Sequence, residues 1–166
     1  MNNYFTVKVK CSEQNETGIY KRKVYSYLVQ GHTFTEAEAR IYEFFEPVKN
    51  INDLSISSIQ RADFHDILDN LHSSKYCVVK ISFDNTNEEK TKKIIQKLLV
   101  TADNIEEATT FVSEYFSLTT LDYKIESVSS SVITDVLTEE NIERLSDENE
   151  EDQVLDQEDK LIEPII

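Results

Sequence analysis

Two basic clusters stand at matching places in this chain of 166 residues: Lys21, Arg22 and Lys23, then Lys90, Lys92 and Lys93. Lys8, Lys10 and Lys80 precede them, and Tyr20, Tyr25 and Tyr27 flank the first cluster. Cations that track a phosphate backbone, beside rings on which bases stack, are what single-stranded nucleic acid requires. A plainer use of the same residues is an edge strand guarded by charge, with tyrosines half in the core.

The sequence offers little other chemistry. It has no glycine-rich phosphate loop, no HExxH, no GxSxG and no paired-cysteine zinc spacing. His32, His65 and His72 are scattered, and read as surface or cap residues. Asp66 and Asp135 recur at equivalent places, as do Glu43 and Glu114; turn and helix-surface roles account for them. Cys11 and Cys77 fit no disulfide or metal spacing and are expected to be buried thiols of a reducing compartment. No enzyme, metal or cofactor is expected.

The elements that must position the cations come from a duplication. Residues 24–46 and 95–117 match at a constant offset of 71: Leu28 falls on Leu99, Glu36 on Glu107, Ala37 on Ala108 and Phe45 on Phe116. Upstream, residues 5–10 match 77–82, and downstream, residues 56–68 match 125–137. Each copy reads strand–strand–helix–strand. Phe5, Val7, Val9 and Cys11 alternate with polar residues, as do Cys77, Val79, Ile81 and Phe83 with their neighbours, the period of a half-buried strand. Thr33 with Glu36, and Asn104 with Glu107, stand in the capping-box relation, and Pro47 ends the first helix. Phe34, Ala37, Ile41, Phe44 and Phe45 share one helical face, matched by Ile105, Ala108, Val112, Tyr115 and Phe116. The apolar pieces FHDIL and VITDVL that close the copies read as a fourth strand or an edge extension.

These patterns predict an α+β fold: tandem strand–strand–helix–strand units (about 4–69 and 76–137) packed as one pseudo-two-fold domain over residues 1–138. Whether the copies share one sheet is open at this point. Residues 139–166 are expected to form a disordered acidic tail. That segment carries 12 acids against Arg144 and Lys160, most of the net charge of −15. The body keeps 20 acids and 15 bases, with the basic excess in its first 33 residues. The N-terminus lacks the apolar region of a signal peptide and no run reaches membrane-span length, so a cytoplasmic protein without a membrane partner is expected.

The pieces YFTVKVK, FTEAEAR and SVSSSVITDV resemble a family of small proteins of Bacteroidetes and their phages, including the crAss-like phages, catalogued as a domain of unknown function. The resemblance spans about residues 4–137 and implies a phage or Bacteroidetes origin, hence a bacterial host cytoplasm; it implies no catalytic residues. The tail is similar in style to those of bacterial single-stranded-DNA-binding proteins, with an acidic run and an apolar tip at Leu161, Ile162, Pro164, Ile165 and Ile166. In that reading the tip docks replication partners and the acids compete with DNA for the cations.

The leading expectation is therefore a phage single-stranded-DNA-binding or replication-accessory protein. Lys8, Lys10, Lys21, Arg22, Lys23, Lys80, Lys90, Lys92 and Lys93 would meet phosphates, and Tyr20, Tyr25 and Tyr27 would stack on bases. The alternative is a non-enzymatic protein-interaction module or a DNA-mimicking inhibitor of a host protein. A virion component is a third reading, and the sequence leaves the oligomeric state open.

Overall fold

A computed structural model describes residues 3–87 and 89–143. The chain runs β1 (Tyr4–Gln14), β2 (Tyr20–Gln30), α1 (Phe34–Phe45), β3 (Ile51–Arg61), β4 (Asp66–Leu68), β5 (Tyr76–Asn87), β6 (Lys90–Thr101), α2 (Ile105–Ser117), β7 (Tyr123–Ser130) and β8 (Ile133–Leu137). The fold is α+β, and both copies carry the same element order. The strands form two four-stranded sheets, ordered β3-β1-β2-β8 and β4-β6-β5-β7.

The apolar pieces that close each copy are strands, and they change sheets. β4, the end of the first copy, pairs in parallel with β6 of the second, with Ile67 opposite Leu99. β8, the end of the second copy, lies beside β2 of the first. Among the described residues the chain accordingly divides into two compact units, 3–61 with 135–143, and 62–134, whose limits cut across the sequence copies.

In the first unit α1 covers one face of its sheet. Phe5, Val7 and Val9 of β1 meet Tyr27 and Val29 of β2, Ala37, Ile41 and Phe45 of α1, and Leu137 of β8. In the second unit Cys77, Val79 and Ile81 pack with Leu98, Val100, Ala108 and Val112, and β4 contributes Leu68. Alternation along β1 and β5 thus sends one set of side chains under a helix and the other to the opposite face.

Both helix starts are capped in the same shifted form of the capping box. The Thr33 hydroxyl accepts from the Glu36 N–H at 3.1 Å, and the Glu36 carboxylate accepts from the His32 N–H at 2.8 Å. The Asn104 side chain accepts from the Glu107 N–H at 2.8 Å, and the Glu107 carboxylate from the Asp103 N–H at 3.2 Å. The return bond reaches one residue further back than the simple motif. Glu107 also accepts from Asn70 and Ser73, tying the loop after β4 to α2.

Three apolar helix residues depart from the expected core face. Phe34, Ile105 and Tyr115 are exposed, because each helix covers its sheet with a narrower stripe centred on Ala37 and Ile41 or Ala108 and Val112. Phe34 instead stacks near Phe5 at 4.9 Å, and both rings lie under the Arg61 guanidinium, at 5.6 and 5.4 Å.

Regular structure continues past residue 138, the expected limit of the body. Residues 139–143 are helical, Ile142 joins the first core at 6 % exposure, and Arg40 reaches Glu139 at 3.7 Å. Arg40 also donates to the Gln30 carbonyl at 2.6 Å and to Glu36 at 3.0 Å, so one guanidinium links β2, α1 and this segment. Residues 144–166, including the tip at Leu161 to Ile166, lie outside the described residues.

Ile142 provides the test of that extended boundary. Ile142→Ala is expected to destabilise the protein by about 2–4 kcal/mol in urea unfolding, the range of a buried methylene deletion with its cavity. Leu118→Ala, at a side chain 91 % exposed, is expected to change stability by less than about 0.5 kcal/mol.

Candidate nucleic-acid interface

Strand register decides which cations share a face. β1 and β2 pair with Lys8 opposite Ser26, Lys10 opposite Val24, Ser12 opposite Arg22 and Gln14 opposite Tyr20. These positions alternate with Phe5, Val7 and Val9, so Lys8, Lys10, Arg22 and Tyr20 lie on the face away from α1. All four are exposed. Nearer the other end the same face buries Ser26 and Leu28, which leaves the hairpin end as its open part.

The remaining candidates of the first unit fall on the helix side of the sheet. Lys23 pairs with Glu13 at 3.2 Å, and the Tyr25 hydroxyl donates to the same carboxylate. Those two contacts hold the Glu13 carboxyl below its usual range. Burial and the bond to Glu13 push the Tyr25 phenol up to about 12. Tyr27 is a core residue, 5 % exposed and packed on Phe44 and Phe45, and burial raises its phenol as well. Its ring has no free face for a base. Lys21 is exposed on this side.

The second unit repeats the division. Lys80 and Lys93 are on the face away from α2, whereas Lys90 and Lys92, opposite Asn87 and Asn85, share the parity of the helix side. Two cations of its open face are paired, while Lys80 and Lys124 form no ion pair among the described residues. Lys93 pairs with Glu126 at 2.6 Å, and Lys97 with Asp63 at 2.7 Å while lying 4.7 Å from the Phe64 ring centre. Glu126 also accepts from the Ser82 hydroxyl at 2.6 Å. These bonds hold its carboxyl down to about 2, Lys93 contributing most.

By contrast, Lys8, Lys10 and Arg22 form no ion pair with a carboxylate among the described residues. Lys10, Ser12, Arg22, Val24 and Ser55 line a groove of about 320 Å³, whose wall also includes Cys11, Lys23 and Asp53. Asp53, inside β3, has a left-handed backbone φ of 54° at the register shift between Lys10 and Ser12. Val24 keeps 61 % exposure there, and Ile95, its equivalent in the second unit, 60 %.

The groove residues Ser12, Ser55 and Asp53, and the acid at 126, did not emerge from the sequence reading. One signal was present. Apolar spacing along β3 runs Leu54, Ile56, Ile59, and along β7 Tyr123, Ile125, Val128, two residues and then three. That slip marks a β-bulge, which the structure places in both copies: Lys8 faces Ser58 while Val9 faces Ile56, and Lys80 faces Ser127 while Ile81 faces Ile125. The extra residue is Ser57 in one copy and Glu126 in the other.

Two of the repeated carboxylates serve the backbone. Asp66 and Asp135 each accept from the next residue's N–H, at 2.8 and 2.7 Å. Glu43 and Glu114 are exposed on their helices, and the three histidines are exposed. Among the described residues no group of three His, Cys, Asp or Glu side chains has a metal-holding arrangement, and no helix is long and apolar enough to cross a membrane.

A family model for a domain of unknown function (DUF4494) matches residues 3–139. No curated protein and no solved structure matches the chain.

The Glu126 network has a pH signature. Because the folded carboxyl lies below its ordinary value of 4.5, its stabilising contribution is present above about pH 4.5 and is lost as pH falls toward 2. Carbon-detected NMR is expected to place the Glu126 midpoint near 2, and Lys93→Met should move it upward. A midpoint at the ordinary value in the unsubstituted chain would contradict the pairing.

Proposed function

We propose that this chain, which belongs to the DUF4494 family, binds single-stranded nucleic acid along the open, hairpin end of its first sheet. The observation that carries the reading is the co-facial placement of Lys8, Lys10 and Arg22, without carboxylate partners among the described residues, beside the exposed ring of Tyr20. Three cations spaced along neighbouring strands suit a flexible phosphate chain, and an exposed ring offers one stacking platform. Lys21, Lys90 and Lys92 lie on the helix-side faces and steer at most by long-range charge.

The finer form of the proposal is a replication-accessory protein of a phage, working in the cytoplasm of its bacterial host. Residues 144–166 carry nine acids against two bases, and their apolar tip would dock a protein partner. The same acids would compete with a nucleic acid for the first sheet.

Fluorescence anisotropy with a labelled oligothymidylate tests the proposal. Three phosphate contacts imply a slope of log affinity against log salt of about −2. Lys8→Ala/Lys10→Ala/Arg22→Ala is expected to weaken binding at least about tenfold at low salt. Lys21→Ala/Lys90→Ala/Lys92→Ala should leave affinity within about twofold. A chain ending at Glu143, which retains Ile142, should bind more tightly. No binding by the full chain or the shortened chain at low salt would discard the proposal and favour the protein-interaction reading.

A further inference from the structure

The duplication lets one unit serve as a reference for the other, position by position. Register gives the correspondences: β1 to β5 at an offset of 72, β2 to β6 at 71, and β3 to β7 at 69. On this basis Ser82 corresponds to Lys10, Lys93 to Arg22, and Glu126 to Ser57.

In the second unit these three positions form a complete anion site that the protein fills itself. The Glu126 carboxylate stands at the β-bulge and takes one hydrogen bond from a hydroxyl, Ser82, and one from an ammonium, Lys93, each at 2.6 Å. In the first unit the bulge is kept and the chemistry inverted. The hydroxyl has become an ammonium, the ammonium a guanidinium, and the carboxylate a serine. One donor has gained a charge, the other has kept its own, and the anion has been removed. Ser57 turns its hydroxyl to the Lys8 carbonyl at 3.3 Å, and Lys10 and Arg22 line the 320 Å³ groove.

We infer that the groove between Lys10 and Arg22 is a discrete site for a phosphate-type anion, in the position that Glu126 takes in the second unit. Two fixed cations suit an anion carrying up to two charges, and Arg22 can present two parallel N–H donors to its oxygens. Ser12 and Ser55 supply neutral donors on the wall. Asp53, on the same wall, disfavours a ligand that spreads charge beyond the two cations. The second unit, with Glu126 in place, is closed to such an anion. The site deepens the single-strand reading by naming its anchoring phosphate, and rests on that reading only for the natural source of the anion.

Titrating the full chain with inorganic phosphate, followed through backbone amide shifts, tests the site. Shifts are expected at Lys10, Ser12, Arg22 and Ser55, and none around Ser82 and Lys93. Ser57→Glu, which imports the second unit's carboxylate, should weaken phosphate binding at least about tenfold. Ser57→Gln, similar in size and uncharged, should leave it within about twofold. Ser82→Lys/Glu126→Ser should open a second responsive patch at residues 82 and 93. The inference is overturned if the unsubstituted chain shows no localised shifts, if Ser57→Glu binds normally, or if Ser57→Gln loses as much as Ser57→Glu. An oligothymidylate competing for the same amides identifies a nucleic-acid phosphate as the source. Localised phosphate binding with no oligonucleotide binding would uphold the site and overturn the single-strand reading alone.

Discussion

The parallel pairing of β4 with β6, and the placing of β8 beside β2, are the contacts on which the rest of the structure depends. Each sheet needs its fourth strand to finish a core: Leu68 enters the second and Leu137 the first. Neither strand comes from the sequence copy that builds the sheet around it. The first unit cannot be completed until nearly all of the described chain has been made, because β8 and Ile142 must return to strands formed near its start. Such long-range closure costs chain entropy before it is rewarded by burial, and joins the halves in one folding problem.

Within each sheet the helix covers one face, and the other is open only in part, since Leu28 and Leu99 on it are fully buried. With α1 on one face, alternation along β1 and β2 distributes cations between a crowded side and an open one. On the crowded side Lys23 meets Glu13, and the tyrosines become part of the core or its edge. On the other side Lys8, Lys10 and Arg22 form no ion pair among the described residues, with Asp53 on the wall of the groove that Lys10 and Arg22 line. Adjacent residues of one basic cluster thus have different surroundings for a geometric reason.

The bulge shared by β3 and β7 shows how two copies of one scaffold diverge without altering the backbone. It presents one extra side chain at the same level of both sheets, and the residue there decides the charge balance. Glutamate pairs with Lys93 in the second unit; serine leaves Arg22 without such a partner in the first. Because the extra residue of a bulge is unpaired and here exposed, such a position changes more cheaply than a core residue. The acidic total of the chain conceals this local contrast.

Much of the fold was legible in the sequence: the element order of both copies, the helix starts marked by Thr33 and Asn104, the core faces of β1 and β5, and even the bulges, in a spacing of two and then three. These are local properties, carried by periodicity and by side chains that bond within four residues. The opposite parity of Arg22 to Lys21 and Lys23 was legible too, but not which parity faced a helix. Tertiary structure alone decided the exchange of β4 and β8, the burial of Ile142, the pairing of Lys93 with Glu126 and of Lys23 with Glu13, and the grouping of Lys8, Lys10 and Arg22. Each depends on register between distant strands, where a shift of one residue turns every side chain to the other face. Local pattern placed the cations on strands; only the assembled sheets determined which of them share a surface.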